Sequence, residues 1–541
     1  MNAQFVLQNN LDLTKSNYSR IEFFILSLYF FTLTINKKKR RKKVKKLILF
    51  VFVIIAIQCS KQAIVELHIT TSSDEAQAHY KTAMTYWEVG DDIEKRASLD
   101  SAIRIDPDFA LALEMNDVPD WLTRKSYQEK AQSLINTVTD QERLILLIRE
   151  AYRNDNMNNA LSYAKELVNK NPESYEAHNW LGIVQSDRNE LVDAIQTLKK
   201  ATELNPDNYQ AYNLLTGHHI AAGGQVMLPE EERNIEQGLK YANELIRIRP
   251  DAGYSYHFKA NCYRQAGEFE KAIPLYEESI NKRRGKSSEG TALLVSGHNY
   301  MFSGDYKTAR QRYSDAIKTA RTKEGWFSLT NYLTWSYIFE GDYRGAIKTI
   351  KEAESRLEKK GFSGTPLLFR KATKSWQKFL CYAHNQMEKD ANDALASSID
   401  FSEKRADNLK DPLIDRSTKG NIAYNKAWNH TLFGRYDKAK LNLEELKMIQ
   451  EKINSPTAMY GYYNLLGMVT LMEGKSDEAL RYFEKGNPND IYFLYFKALA
   501  LKSIGDKTGA RQILTDIANT NFSYWQLAIM KSRAKTMLES A

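Results

Sequence analysis

The sequence predicts an all-α fold, an α-solenoid of about eleven helix-turn-helix units followed by a capping helix. The first observation is a glycine followed five residues later by an alanine, repeated along the chain. The second is a proline that ends a helical pattern, as at Pro172 and Pro206, which are 34 residues apart. The third is composition: 43% apolar residues and only 11 prolines in 541 residues suit a folded, helical chain. The glycine–alanine pairs are Gly267/Ala272, Gly304/Ala309, Gly341/Ala346, Gly434/Ala439, Gly474/Ala479 and Gly505/Ala510.

The clearest unit covers residues 175–208. Its small residues, Gly182, Ala194 and Ala201, would let two helices and the next unit approach closely, and Pro206 would stop the second helix. With Leu181 before Gly182, this pattern resembles the 34-residue tetratricopeptide repeat. The resemblance implies a right-handed superhelix. No unit buries its apolar face alone, so neighbouring units must stack.

The repeat pattern also sets the expected domain limits. Residues 59–75 are predicted as a linker, residues 76–521 as the array and residues 522–541 as the capping helix that shields the last repeat. Residues 110–140 are predicted as a degenerate stretch, and about ten extra residues lie at 222–231. The units are predicted to begin near Ala76, Gln141, Tyr175, Tyr209, Gly253, Gly290, Phe327, Ser375, Gly420, Tyr460 and Ile491.

The net positive charge of the chain comes entirely from its N-terminal tenth. The formal net charge is +9, and residues 1–58 hold eleven basic and two acidic residues, so the remainder is electrically neutral. Phosphate binding needs a basic stripe, so no nucleic-acid partner is expected. Nine basic residues between Lys37 and Lys46 precede an apolar run, Leu47–Ile57, which is short for a membrane span and is typical of a signal peptide. A nuclear or nucleic-acid tail is the alternative for the basic run.

Residues 56–61 resemble a bacterial lipoprotein signal of the Bacteroidetes type. The resemblance implies lipidation of Cys59, although Gln58 stands where such signals usually have Gly, Ala or Ser. It also implies attachment at the cell envelope, on the periplasmic side or at the outer membrane. One hypothesis is that residues 1–43 are a mis-assigned extension before a start at Val44. The alternative is an inner-membrane anchor made of the apolar runs 21–35 and 47–57.

No constellation for catalysis, a cofactor or a metal is found in the sequence, and the chain is predicted not to be an enzyme. Gly474-Lys475-Ser476 ends like a phosphate-binding loop, but Val469 stands where the required glycine would be. The triplet also falls at a predicted turn between two helices. Cys262 and Cys381 lie in apolar helical patterns and are interpreted as buried thiols.

The predicted function is binding of a protein or peptide. In tetratricopeptide proteins the first helix of each unit lines a concave groove, and aromatic and amide side chains there suit peptide recognition. Packing between helices is the alternative for Trp335 and Trp428. The groove positions implied by the resemblance are Tyr254, His257, Asn261, Arg264, His298, Met301, Phe302, Asn331, Trp335, Tyr424 and Trp428, with Asn179, Asn213 and Asn464 equivalent to one another.

These features together predict a non-catalytic scaffold or assembly factor, exported and lipid-anchored at the bacterial envelope. Two alternatives remain open at this point. One is a stand-alone sensor array of a signalling system, since residues 105–112 and 141–146 resemble arrays attached to bacterial kinases and regulators. The other is a glycan-binding envelope lipoprotein, which the many Trp and Tyr residues permit.

Overall fold

The computed structural model describes residues 64–220, 228 and 234–540, and these residues form an array of 25 α-helices. Within these ranges there is no β-strand; an isolated bridge joins Val65 to Ser174. Consecutive helices pack in pairs, which confirms the predicted all-α solenoid of helix-turn-helix units. The apolar runs before residue 59, Cys59 itself and most of the predicted insertion at 222–231 lie outside the described residues.

The helices are numbered in chain order through the described ranges. The N-terminal helices are α1 Asp74–Glu88, α2 Asp92–Ile105, α3 Ala110–Met115, α4 Trp121–Ser133, α5 Asp140–Arg153, α6 Met157–Lys170, α7 Tyr175–Asp187, α8 Leu191–Leu204, α9 Tyr209–Ile220 and α10 Ile235–Ile248. The next are α11 Gly253–Gln265, α12 Phe269–Arg283, α13 Glu289–Phe302, α14 Tyr306–Thr319, α15 Lys323–Glu340 and α16 Tyr343–Glu354. The last are α17 Gly364–His384, α18 Glu388–Leu409, α19 Pro412–Leu432, α20 Tyr436–Gln450, α21 Tyr460–Met472, α22 Ser476–Phe483, α23 Ile491–Ser503, α24 Lys507–Asn519 and α25 Trp525–Glu539.

Local sequence explains where these helices begin and end. Thr139 and Glu142 form a reciprocal capping box at the start of α5, and Asp411 caps α19 ahead of Pro412 at its first position. Pro206 and Pro250 each follow a helix end by two residues, where no further helical N–H is required. The six glycines of the glycine–alanine pairs all have positive φ, between 72° and 94°, so they form the turns between paired helices.

The predicted units fall close to the observed pairs. Units predicted near Tyr175, Tyr209, Gly253, Tyr460 and Ile491 begin there, since α7, α9, α11, α21 and α23 start at those residues. Later units start earlier than predicted: α17 begins at Gly364 and α19 at Pro412, because these helices have 21 residues each, more than the first helix of the 34-residue motif. Residues 110–133 form the short helix α3 followed by α4.

Close helix approach within a pair depends on small residues, as the sequence suggested. A Cβ placed on Gly182 would lie 2.7 Å from the Leu198 side chain across the α7–α8 interface. Ala194 and Ala201 are fully buried in the same unit. Cys262 and Cys381 are also fully buried, which confirms their interpretation as interior thiols.

The apolar interior forms two large clusters with smaller ones between them. The N-terminal core contains buried residues from Leu67 to Val184, and the C-terminal core contains buried residues from Ile280 to Ala534. No helix within the described ranges is long and apolar enough to cross a membrane.

Two predicted connecting or capping segments have additional contacts. The described part of the predicted linker at 59–75 is not a free connection, since residues 67–72 hydrogen-bond to α5, to α7 and to the residue that ends α2. The predicted capping helix, α25, packs on α23 and α24 at the end of the array. It also contacts α15, which belongs to a pair four pairs earlier.

Candidate functional site

Most of the predicted groove residues on α11 and α13 are buried. His257, Asn261, Arg264 and His298 are 2–7% exposed, and Tyr254 is half-buried. Burial, with the charge of Arg283 adding to it, lowers the pKa of His257 well below its usual value, so this imidazole is neutral. These side chains form an interior polar network and do not face open solvent. Met301 is buried with them.

The network itself is built on tyrosine hydroxyls. Tyr276 donates a hydrogen bond to Asn261 Oδ1 at 2.8 Å and accepts one from Arg264 Nη1 at 3.0 Å. His298 Nδ1 lies 2.7 Å from the Tyr313 hydroxyl. Both tyrosines come from the second helix of a pair, so the network joins the two helices within each unit.

The predicted groove residues on later helices are likewise engaged inside the protein. Trp428 is 1% exposed, donates to the Tyr492 hydroxyl at 2.9 Å and is surrounded by other rings. Trp335 is 7% exposed in the C-terminal core, as its packing alternative proposed. Asn331 accepts hydrogen bonds from Lys374 and Gln377, and Tyr424 is half-buried beside Trp428. As direct contacts for a soluble partner, Trp335 and Trp428 are therefore unavailable in this conformation.

The chain's own C-terminal residues cover part of this side of the array. Residues 521–533 contact the first helices of several pairs, through Arg264 on α11, Phe302 on α13, and Trp376 and Trp428 on α17 and α19. We call this surface, together with Tyr492 on α23, the C-terminal groove. Arg264 and Trp428, predicted from the sequence as contacts for an external ligand, contact the chain's own C-terminal residues here.

An open cavity lies instead in the N-terminal half. It has a volume of about 300 Å³ and lies between α1, α5, α7 and the start of α9. Its apolar wall includes Trp87, which is 36% exposed, and the half-buried Trp180. We call it the N-terminal pocket. Further apolar lining residues are Tyr80, Met84, Leu111, Met115, Ile145 and Ile183.

One rim of the N-terminal pocket is an extended segment of the chain, residues 66–69. Its backbone is held by side-chain acceptors from the helices. Leu67 N donates to a Glu176 carboxylate oxygen and His68 N to Gln141 Oε1 at 3.1 Å. Further along, Thr70 N donates to Glu142 Oε1 at 2.7 Å and Ser72 N to Asp106 Oδ2 at 2.8 Å. Four backbone amides of an extended segment are thus bound by side chains of the array.

The remaining polar groups of the pocket are amides and paired charges. Asn179 Nδ2 donates to Asn208 Oδ1 at 3.2 Å and to Gln210 Oε1 at 3.1 Å. Arg249 Nη2 lies 2.6 Å from Glu88 Oε2. Burial raises the pKa of Glu88, and the guanidinium of Arg249 opposes that rise.

Among the carboxyl groups of the pocket, Glu176 has the most altered pKa. Burial raises its pKa to about 7, and the nearby Glu66 adds to the rise, while the Leu67 N–H and Lys81 act against it. Near neutral pH this carboxyl is therefore partly protonated. In both protonation states an oxygen can still accept the hydrogen bond from Leu67.

Most residues of this pocket were not predicted from the sequence. Of the lining residues, only Asn179 was predicted to be a groove residue. The residues equivalent to Asn179 differ in burial. Asn213 is half-buried, whereas Asn464 is buried, with 2% of its surface exposed. Trp180 directly follows Asn179 on a predicted first helix, so its position was a usable signal. The contribution of residues 66–69 had none, because a short stretch without helical periodicity before the first repeat resembles a linker.

No group of three or more His, Cys, Asp or Glu residues suited to a metal ion occurs within the described ranges. Gly474 has φ of +84° and forms the turn between α21 and α22, as expected for the phosphate-loop-like triplet.

The comparisons with known proteins identify the repeats. Models of the tetratricopeptide repeat match residues 151–217 and residues 255–288. The first match includes the clearest unit found in the sequence. These two stretches therefore match tetratricopeptide repeats, which generally bind protein partners.

Among solved structures, the chain is similar to a thermophilic tetratricopeptide-repeat protein from Thermus thermophilus. The two are 19% identical, and the similarity covers 33% of this chain and 91% of that one, with a TM-score of 0.29. No curated protein matches the sequence.

Proposed function

We propose that this protein is a scaffold that binds an extended segment of a partner protein in the N-terminal pocket. The observation that carries the proposal is the half-open apolar cavity beside residues 66–69, in which side chains of the array already bind the backbone amides of Leu67 and His68. A cavity with aromatic walls and a few oriented amides suits an apolar side chain of a peptide. The matches to the tetratricopeptide repeat, the first of which includes α7 and the start of α9 at the pocket, support protein binding as the class of function.

A peptide selection tests this proposal. A library of random extended peptides is selected against the full chain, and the affinity of a selected peptide is measured by calorimetry. Trp180→Ala removes part of the pocket wall and is expected to weaken binding by about tenfold or more, or about 1.4 kcal/mol. Trp121→Ala is the matched control, since Trp121 is also half-buried but lies outside the pocket.

The outcomes separate the alternatives. Peptide binding that is lost with Trp180→Ala and kept with Trp121→Ala supports the scaffold. A chain that selects no peptide but binds oligosaccharides on a glycan array would instead support the glycan-binding lipoprotein. Binding that is insensitive to both substitutions would contradict the assignment of the pocket.

We also propose that the protein is exported and anchored at the cell envelope by a lipid on Cys59. The basic run from Lys37 to Lys46, the apolar run Leu47–Ile57 and Cys59 behind them support this proposal. Labelled palmitate should enter the native protein and not a Cys59→Ala variant. Absence of label in the unsubstituted protein would refute the lipid anchor, and the inner-membrane alternative would then be tested by fractionation of the same cells.

A further inference from the structure

Residues 521–533 bind the C-terminal groove through contacts that differ from ordinary stacking of neighbouring repeats. A last helix that only capped the array would pack on α23 and α24. Helix α25 does so and also contacts α15, while the residues just before it reach α11. The five residues 520–524 that join α24 to α25 are not helical, so α25 is attached to the array by a short irregular tether.

The first contact is a set of reciprocal hydrogen bonds between Asn521 and the C-terminal end of α11. Arg264 Nε donates to the Asn521 carbonyl oxygen at 3.0 Å, and Asn521 Nδ2 donates back to the Arg264 carbonyl at 3.1 Å. Asn521 N also donates to Gln265 Oε1 at 3.1 Å. Arg264 is 2% exposed and lies 5.8 Å from the Phe522 ring centroid. A buried guanidinium thus holds a backbone 257 residues away in sequence.

The second contact is aromatic. The Trp525 ring centroid lies 5.5 Å from those of Trp376 and Trp428 and 5.7 Å from that of Tyr492. These three rings come from the first helices of three different pairs, α17, α19 and α23. Aromatic pairs in such geometry stabilise an interface beyond the area they bury.

The third contact orders the segment itself. The Lys531 ammonium donates to the carbonyl oxygens of Ala518 and Thr520 at 2.6 and 2.5 Å and to Asn521 Oδ1 at 3.1 Å. It also lies 5.4 Å from the Phe302 ring centroid in the groove. The tether and the helix therefore form one folded unit, which presents Asn521, Phe522 and Trp525 together.

We propose that residues 521–533 are an intramolecular ligand of the C-terminal groove and close this groove to other partners. The groove recognises an Asn–aromatic pair, a tryptophan three residues further on and a lysine on the following helix. A partner with the same pattern enters only by displacing the chain's own segment. This site is separate from the N-terminal pocket and does not depend on the proposed function.

The test uses the full chain and a fluorescent synthetic peptide of residues 521–541, with binding followed by anisotropy. In the unsubstituted chain the tethered segment competes at an effective concentration on the order of millimolar, so the added peptide binds weakly. Trp525→Ala weakens the tethered segment and leaves the groove intact. The peptide should bind this variant at least about tenfold more tightly than it binds the unsubstituted chain.

Two controls define the site. Adding Arg264→Ala to the Trp525→Ala chain should remove the gain in peptide affinity, because Arg264 belongs to the groove. A peptide with its own tryptophan replaced by alanine should bind neither chain.

Hydrogen exchange is a separate measurement on the same variant. The exchange rate of the Trp525→Ala chain should rise in residues 525–539, while that of α7 and α8 should not change.

Three results would overturn the proposal. The first is faster exchange in residues 525–539 without any peptide binding. The second is exchange in α25 that stays as slow as in α19, which would mean that the segment is not displaceable. The third is loss of protection throughout residues 289–519, which would make α25 an integral part of the C-terminal core.

Discussion

The N-terminal pocket and the C-terminal groove lie on first helices of the same array, and each is in contact with a different kind of segment. Beside the pocket, residues 66–72 are extended and bound through backbone amides, and a cavity of about 300 Å³ remains. In the groove, residues 521–533 are bound through an asparagine, a tryptophan and a lysine. The helix inside it has Leu527 and Met530 fully buried.

The difference shows that repeat architecture sets where a groove lies but not whether it is open. The segment beside the pocket is bound by its backbone and leaves side-chain space beside it. In the C-terminal groove Trp525 covers Trp376 and Trp428, and a cavity of about 640 Å³ remains at the edge, beside Phe302 and Lys531. Whether a partner can enter a groove therefore depends on segments of the chain outside the regular units. Substitutions at the two sites should therefore differ in their effects.

Trp428→Ala should produce the largest loss of stability. It removes a side chain 1% exposed among several aromatic rings and leaves the Tyr492 hydroxyl without its indole donor. We expect a loss of about 4 kcal/mol in the free energy of unfolding, measured by urea denaturation with circular dichroism. Trp180→Ala in the N-terminal pocket should cost about 1 to 2 kcal/mol, because Trp180 is only half-buried. Equal losses would contradict the contrast between a filled and an open groove.

Glu142→Ala should release the extended segment beside the pocket. The Glu142 carboxylate accepts hydrogen bonds from both N–H and hydroxyl groups of Thr70 and Thr139, and it is 1% exposed. We expect the free energy of unfolding to fall by about 3 kcal/mol and amide hydrogen exchange in residues 67–72 to become faster. Glu129→Ala, on the exposed face of α4, is the control and should change neither. Unchanged exchange in residues 67–72 would show that these contacts do not hold the segment.

Gly297→Ala should test the tight packing beneath the C-terminal groove. An added Cβ would lie 2.5 Å from the Tyr313 ring, so we expect a loss of about 2 kcal/mol by thermal denaturation. Gly217→Ala is the matched control. No atom lies within 4 Å of its added Cβ, and replacing a helical glycine should raise stability by about 0.5 to 1 kcal/mol. A neutral Gly297→Ala substitution would mean that α13 and α14 can separate without cost.

Glu176→Gln should change how stability depends on pH. The pKa of Glu176 is about 7 in the folded chain and 4.5 ordinarily, so the folded state holds this proton more tightly. Stability from this group is therefore lost as pH rises from about 4.5 to about 7, and the glutamine variant escapes that loss. We expect the variant to gain about 1 to 2 kcal/mol relative to the unsubstituted chain between pH 5 and pH 8. Glu236→Gln, at an exposed position at the start of α10, is the control for the substitution itself.

Local sequence signals predicted the array but not the contacts of its two ends. The glycine turns and proline stops depend on neighbouring residues only, so the helix pairs could be placed from them. Asn521 binding to Arg264 and Leu67 binding to Glu176 join residues far apart, and no local pattern marks them. Trp428 was placed on the correct helix, but its environment depends on Trp525, which was predicted only to cap the last repeat.

Hydroxyl-radical footprinting of the full chain tests the contrast most directly, because mass spectrometry reads the oxidation of each tryptophan separately. The same side-chain chemistry is then compared at both sites. We predict that Trp87 and Trp180 at the N-terminal pocket are oxidised several times faster than Trp428 in the C-terminal groove. Oxidation of Trp428 as fast as that of Trp87 would show that the groove is open in solution and would contradict the account.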